Sequence, residues 1–309
     1  MKTAVLINLS SNNGNALKRW NLIEKEIKEI LPPDTIYIHY YPPFEMKKTL
    51  QQLINRHQIN YFVSAGGDGS LNFLVNSLGE LINYNFNNFC LGAIGLGSSN
   101  DFLKPVKKHI KGVPVKLDVP DAVLSDIGVV TYFNNGNREK RLFCINSSIG
   151  FTAEGNKSFN TNKGLTGFIK ARSTNLAIIL TVIKTFFLYK NLSLKIKIKD
   201  STKEINVTNL SVAKNPNVSG NFRYDLSTYP DSGKIGLYIA EDLSKVETLK
   251  LLYNLTRNRF STLKKCSALF VEEVEIESVN DLHLEADGEI TSGNHFRFSV
   301  LPKSLLIAS

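Results

Sequence analysis

The sequence predicts two domains of different class, an α/β N-terminal domain built on a parallel sheet and a mainly antiparallel β-sandwich C-terminal domain. Three observations carry this. Apolar runs alternate with helical patterns through the first third, as where helices cross over between parallel strands. After about residue 126, short alternating runs separated by turn signals take over. With 309 residues, 42% of them hydrophobic, the chain is long for one core and comfortable for two.

In order, AVLIN is the first strand, and the helix after its glycine-containing turn sets Leu17, Trp20, Ile23, Ile27 and Ile30 on one face. TIYIHY is a second strand, and MKKTLQQLINRH a helix that groups Leu50, Leu53, Ile54 and His57. YFVSA opens a third unit whose helix turns Leu71, Leu74, Val75, Leu78 and Leu81 inward, and FCLGAI is the fourth strand. In such sheets ligands bind beyond the carboxyl ends of the strands, at the turns into the helices.

In the second region LSLKIKIKD is the clearest strand, with Leu194, Ile196 and Ile198 facing one way and Lys195, Lys197 and Lys199 the other. RLFCINSSIG, INVTNLSVA, KIGLYIA, VEEVEIESV, LHLEA and HFRFSVL read as further strands, and two helical stretches, 165–189 and 243–260, interrupt them. The expected domains are 1–126 and 127–300.

Lys and Arg number 37 against 28 Asp and Glu, a formal charge of +9 that favours an anionic partner such as a phosphate-bearing ligand or an anionic membrane surface. The basic residues are dispersed without an aromatic stacking motif, so nucleic acid is not expected. Cys90, Cys144 and Cys266 lie far apart, which excludes a disulfide framework and a zinc cluster and fits a reducing cytoplasm. The five histidines show no zinc spacing. The start, MKTAVLINLSSNNG, reads as a strand and not as a signal peptide. The longest apolar stretch, 176–189, is too short to span a bilayer and carries Lys184. With Lys170, Arg172 and Lys190 around it, that stretch is a candidate for contact with anionic headgroups, or simply a solvated helix face.

Two turns stand out. Gly66, Gly67, Asp68, Gly69 and Ser70 leave the third strand for its helix, where free N–H groups and the helix dipole favour a phosphate and the glycines let it approach. Asp68 meets a phosphate only through an intervening cation, for which magnesium is the natural choice. After the next strand come Gly95, Gly97, Ser98, Ser99 and Asn100, followed by Asp101. This second turn is neither a dinucleotide fingerprint nor a P-loop. Each turn alone also fits an ordinary helix cap, for which asparagine serves as well as aspartate. Two on successive strands point to function.

These residues resemble the diacylglycerol kinase catalytic superfamily, which includes sphingosine kinases and bacterial lipid kinases. GGDGSLNFLVNSL is similar to its Gly-Gly-Asp-Gly-Thr signature, with Ser70 keeping the hydroxyl, and GLGSSNDFLKP to its Pro-x-Gly-Thr-x-Asn-Asp-Phe motif, with Gly95 for proline and Ser98 for threonine. INSSIGFTAE resembles the entry into the family's second domain, and EADGEI its late Asp-Gly-Glu element at Asp287, Gly288 and Glu289. The first strand keeps Asn8 but has Leu9 for the usual proline, and Asp231 is followed by Ser232 where related bacterial kinases carry a second acid of a structural magnesium site.

The resemblance implies a nucleotide-binding first domain, completed by residues 301–309, and a β-rich acceptor domain. It implies transfer of the ATP γ-phosphoryl, with Mg2+, to the hydroxyl of a membrane lipid, diacylglycerol or a sphingoid type, in the cleft between them. Asp287 is the implied base and Asp68 its partner in catalysis. Asn8, Gly66, Gly67, Gly69, Ser70, Gly97, Ser98, Asn100 and Glu289 are the implied nucleotide contacts, and Asp68, Asp101, Asp126 and Glu289 the implied metal or metal-water ligands. Without that resemblance Asp287-Gly288 reads as a hairpin turn. Two other readings stand beside it, a NAD kinase-like enzyme sharing the Gly-Gly-Asp-Gly turn, and a catalytically silent lipid- or nucleotide-binding regulator. The expected location is the cytoplasm, peripherally at the inner membrane face.

Overall fold

The computed structural model describes residues 1–134, 136–161 and 186–309. The chain divides into one unit of residues 1–127 with 302–309, and a second of residues 128–301.

In the first unit β1 (Thr3–Asn8), β2 (Ile36–Tyr40), β3 (Tyr61–Gly66) and β4 (Cys90–Gly95) lie side by side in the order β2-β1-β3-β4, each pairing in parallel. The sheet is nevertheless mixed. At the other edge of β4, Cys90 and Leu91 pair in parallel with Leu306 and Ile307 near the chain end, while Ala93 and Ile94 pair antiparallel with β6 (Val113–Lys116), itself in a hairpin with β5 (Lys108–Ile110). Crossover helices α1 (Ala16–Ile30), α2 (Met46–His57) and α3 (Asp68–Leu81) connect the parallel strands.

α1 buries Ala16, Trp20, Ile23 and Ile27, a stripe at i, i+4, i+7 and i+11. Leu17 and Ile30 are exposed, since each lies about 100° round the helix from that stripe or beyond its last turn. α2 buries Met46, Leu50 and Leu53, and leaves His57 exposed. α3 buries Leu71, Leu74, Val75 and Leu78 as its spacing predicts, while Leu81 is half-buried at its end.

The second unit is antiparallel throughout its recorded pairings. β7 (Val123–Asn134) and β8 (Asn137–Phe143) form a hairpin, as do β10 (Leu192–Ile198) and β11 (Ser201–Ala213). β16 (Val274–Ala286) pairs with β10 through its first half and with β9 (Asn146–Gly150) through its second, and β9 also pairs with β11. β14 (Ile235–Glu241) and β15 (Cys266–Val271) extend β11, and β17 (Glu289–Ile307) completes the hairpin with β16. β12 (Asn217–Val218) and β13 (Phe222–Arg223) make a small ribbon. Leu194 and Ile196 enter the core while Lys195 and Lys197 face outward to Glu277 and Glu275, the alternation expected of a half-buried sheet.

RLFCINSSIG is not one strand. It breaks into β8 and β9 around Cys144 and Ile145. α4 (Phe151–Thr161) follows β9 and lies against β9 and β16, and α5 (Lys245–Thr256) replaces the core of the stretch read as 243–260, with a separate 3-10 turn at Phe260–Thr262. Residues 162–185, which carry Lys170, Arg172, Lys184 and most of 176–189, lie outside the described residues. Among the described residues no helix is long and apolar enough to cross a membrane.

Candidate active site

The turn out of β3 begins α3 at Asp68, and residues 67–69 are half-exposed. Gly67 caps the helix in extended conformation without a side-chain bond. The first-turn amides therefore stand at the positive end of the helix dipole, the setting in which a phosphate is held.

Ser70 faces away from this mouth. It is buried, Asn8 Nδ2 donates to its Oγ at 2.9 Å, and Ser11 Oγ stands 3.2 Å away. Tyr40, whose phenol is pushed up to about 12 by burial, also bonds to it. Asn8 Oδ1 accepts in turn from Ser10 N at 3.1 Å and Ser10 Oγ at 2.7 Å. Asn8 and Ser70 thus fasten the turn after β1 to α3, and their side chains are engaged with protein groups.

The second turn is held by Asn100, left-handed at φ 51°. Its Oδ1 accepts from Gly97 N at 3.1 Å, and its Nδ2 donates to the carbonyls of Gly97 (3.1 Å) and Gly95 (3.3 Å). Arg19 Nη1 adds a bond to the Gly97 carbonyl at 2.7 Å. Asn100 is therefore the lock of this loop, and Ser98 remains exposed at its tip. The two turns touch: a β-carbon on Gly97 would stand 2.4 Å from Gly67 Cα, a distance only glycine permits.

Asp68 ties them together. Its Oδ2 accepts from Asp101 N at 3.0 Å and its Oδ1 from Phe102 N at 3.1 Å. Asp101 is buried and pairs with Lys104 Nζ at 2.7 Å. Asp126 accepts from Lys303 N at 2.9 Å, and Glu289 is exposed at the start of β17. Among the described residues no three carboxylate, histidine or cysteine side chains form a group able to hold an ion. Asp101 and Asp126 are each bound to a protein cation or amide. Magnesium needs few protein ligands beside phosphates and water, so the linked pair Asp68 and Asp101, hard oxygens at the glycine turns, fits it in chemical type.

In the second unit Asp287 occupies the hairpin between β16 and β17 at φ 46°, followed by Gly288 at φ 94°. Unlike an ordinary turn residue it is buried, and its carboxylate accepts three backbone N–H groups: Cys144 at 2.7 Å, and Ile145 and Asn146 at 3.0 Å each. Those amides are the break between β8 and β9. Glu285, two residues earlier on the same face, is also buried. Its Oε1 accepts Gly288 N at 2.5 Å and its Oε2 accepts Ser148 Oγ at 2.8 Å, while Ser147 Oγ donates to its carbonyl at 2.6 Å. Ser211 continues the row through its pairing with Ser148, and Tyr224 OH donates to Ser211 Oγ at 2.8 Å. Burial raises the Tyr224 phenol well above its ordinary value.

Glu285, Ser147 and Ser148 are absent from the sequence expectations. The one signal for Glu285 is the alternation of LHLEADGE, which puts it on the same face as Asp287 without showing that β9 pairs beside it or that α4 lies against β16.

Two family models match the chain in succession. Residues 2–125 match the diacylglycerol kinase catalytic domain, and residues 148–309 match the YegS C-terminal NAD kinase beta sandwich-like domain. Among solved structures, a Bacillus anthracis str. Sterne protein assigned as a diacylglycerol kinase is similar at TM-score 0.73 and 16% identity, over 99% of this chain and 94% of that one. Another structure of a diacylglycerol kinase from the same organism gives TM-score 0.66 at 13% identity, covering 99% and 96%. At these identities the likeness is one of fold. No protein of curated function is significantly similar in sequence.

Proposed function

The chain belongs to the family that joins a diacylglycerol kinase catalytic domain to a YegS C-terminal domain, and from that premise we propose that it transfers the γ-phosphoryl group of ATP to the hydroxyl of a membrane lipid, diacylglycerol or a sphingoid type. The observation that carries this reading is the contact of Gly67 with Gly97, which merges two glycine turns into one surface at the N-terminus of α3. Backbone amides of residues 67–69 and of Ser98, with the Ser98 hydroxyl, receive the nucleotide phosphates. Asn8, Ser70 and Asn100 shape these turns. Asp68 and Asp101 would hold magnesium, which supplies charge neutralisation on the phosphates when bound.

On the second unit Asp287 receives the hydrogen bond of the acceptor hydroxyl. Because phosphoryl transfer passes through a loose transition state, orienting the hydroxyl matters more than a strong base. Asp287 therefore works as a fixed acceptor whose direction is set by Cys144, Ile145 and Asn146. The enzyme acts from the cytoplasmic side, where ATP is available, on lipid in the inner face of the membrane.

A NAD kinase-like activity is the second reading, favoured by the description of the matching C-terminal domain. Incubation with labelled ATP, magnesium and either a total lipid extract or NAD separates them by chromatography of the products. A labelled lipid supports the proposal and identifies the acceptor. A labelled dinucleotide overturns it in favour of the second reading, and nucleotide binding without any labelled product overturns it in favour of a silent regulator.

A further inference from the structure

Helix α5 is apolar on two opposite faces, and one of them is bare. Thr248, Leu251 and Leu255 are buried, the leucines beside Tyr224, Tyr238 and Phe260. Val246, Leu249 and Tyr253 follow one another at i, i+3 and i+7 on the opposite side, and they are 63%, 53% and 58% exposed. A surface helix ordinarily carries polar residues there, and contiguous exposed apolar groups mark a binding surface. Phe187 and Leu188, 72% and 70% exposed, extend the patch. They are held beside the first turn of α5, because Lys245 Nζ donates to the carbonyls of Phe186 and, at 2.8 Å, Tyr189.

The charged residues that the helix and its C-cap place on this face are cations. Lys250 lies four residues after Val246 and Arg257 four after Tyr253, so both cations share the bare face. The Arg257 guanidinium stands 4.9 Å from the Tyr253 ring centroid. The helix's one acid, Glu247, points about 100° away from Val246 and is paired with Lys265 at 3.0 Å.

We propose that this face of α5, with Phe187 and Leu188, seats the second unit on an anionic lipid bilayer, its apolar side chains entering the headgroup boundary while Lys250 and Arg257 meet lipid phosphates. Basic residues flanking an exposed apolar stripe are the pattern of interfacial helices. Two copies joined through this face would set like cations against each other, which disfavours self-association. The formal charge of +9 points the same way. The choice of a bilayer over a protein partner rests on the lipid-kinase reading, whose acceptor lies in a membrane.

The test uses the full chain and vesicles of phosphatidylcholine, with and without phosphatidylglycerol. Sedimentation is expected to carry the protein with the anionic vesicles, less so with neutral ones and less so as salt is added, since exposed charges are screened over about 8–10 Å at ordinary ionic strength. Leu249→Ser with Tyr253→Ser is expected to lower the partition coefficient about ten-fold or more. Lys250→Glu with Arg257→Glu is expected to abolish the preference for anionic vesicles. Unaltered melting curves check the fold of both variants. Turnover of a water-soluble short-chain diacylglycerol is expected to match wild type in both, which isolates docking from chemistry. Wild-type vesicle binding by the first variant overturns the proposal, as does a shift from dimer to monomer in sedimentation velocity with vesicle binding unchanged. Absence of kinase activity together with the expected vesicle results sinks the lipid-kinase reading and leaves the docking face standing.

Discussion

Gly67 and Gly97 meet backbone to backbone: a β-carbon on Gly97 would stand 2.4 Å from Gly67 Cα and 3.1 Å from Gly67 N. Neither neighbour is the end of a flexible side chain, so the two turns must separate to admit even a methyl group. Gly97→Ala is expected to lower the melting temperature and weaken ATP binding by at least about ten-fold, through displaced phosphate-binding amides. Gly155 in α4 is the contrast, since its added β-carbon meets nothing within 4 Å. Gly155→Ala is expected to stabilise by about 0.5–1 kcal/mol through helix propensity. Melting curves and nucleotide titrations of both variants check the pair, and wild-type affinity in the Gly97→Ala protein removes the close-approach argument.

Asp68→Asn tests a different link. A turn by itself tolerates asparagine, but here both carboxylate oxygens accept backbone N–H groups, from Asp101 and Phe102. An amide can offer one oxygen and must turn its NH2 toward the other donor, a loss of about 1–3 kcal/mol. The variant is therefore expected to be less stable as well as inactive. Comparing affinity for ATP with and without magnesium separates the roles. A selective loss of the magnesium-dependent part supports an ion-holding Asp68, and equal weakening of both reduces it to a clamp between the turns.

The four parallel strands and three crossover helices are readable because their information is local, a period of 3.6 residues between apolar runs that end at glycine turns. Leu17 and Ile30 show the limit of that signal, since spacing marks apolar residues without saying how wide a stripe the sheet covers. The glycine turns are readable as a place. Which side chains line that place and which support it is not, and Asn8 and Ser70 bond to each other across a separation of 62 residues. The break in RLFCINSSIG is hidden for the same reason: its amides are satisfied by Asp287, 141 to 143 residues away. Glu285 is illegible because alternation assigns it a face, and only tertiary packing buries that face.

The start of α5 carries a pH prediction. Ser244 Oγ accepts Glu247 N at 3.3 Å, and Glu247 Oε2 accepts Ser244 N at 2.8 Å, a reciprocal capping box. The bond from the Ser244 backbone, then Lys265 and the Ser244 side chain, hold the Glu247 carboxyl down at about 2, against an ordinary 4.5. A carboxyl lowered in the folded state adds stability that is fully present above its unfolded value and fades as pH falls through the folded one. The stability gap between wild type and Glu247→Gln is therefore expected to be constant near neutrality and to narrow below about pH 4.5. Melting curves across that range decide it, and a gap that does not change with pH removes the cap's ionic part.

Asp287 has two duties that one substitution can confuse. As a left-handed hairpin residue at φ 46° it would be replaced by asparagine almost without cost, since asparagine tolerates that conformation. As the acceptor of three backbone N–H groups it would not, because an asparagine side chain opposes at least one donor with its own NH2. Asp287→Asn is therefore expected to cost about 1–3 kcal/mol of stability and, at a temperature where it remains folded, to lower kcat on the order of 100-fold or more with little change in ATP affinity. Glu285 separates position from chemistry. Its carboxylate holds Gly288 N and Ser148 Oγ but is two residues from the proposed acceptor group, so it acts on the hydroxyl only through the hairpin. Glu285→Ala is expected to lower kcat while leaving the shape of its pH profile as in wild type, and Glu285→Gln to restore most of it, because the amide can accept from Gly288 N and donate to Ser148 Oγ. A folded Asp287→Asn protein with turnover within a few-fold of wild type makes Asp287 a structural clamp alone.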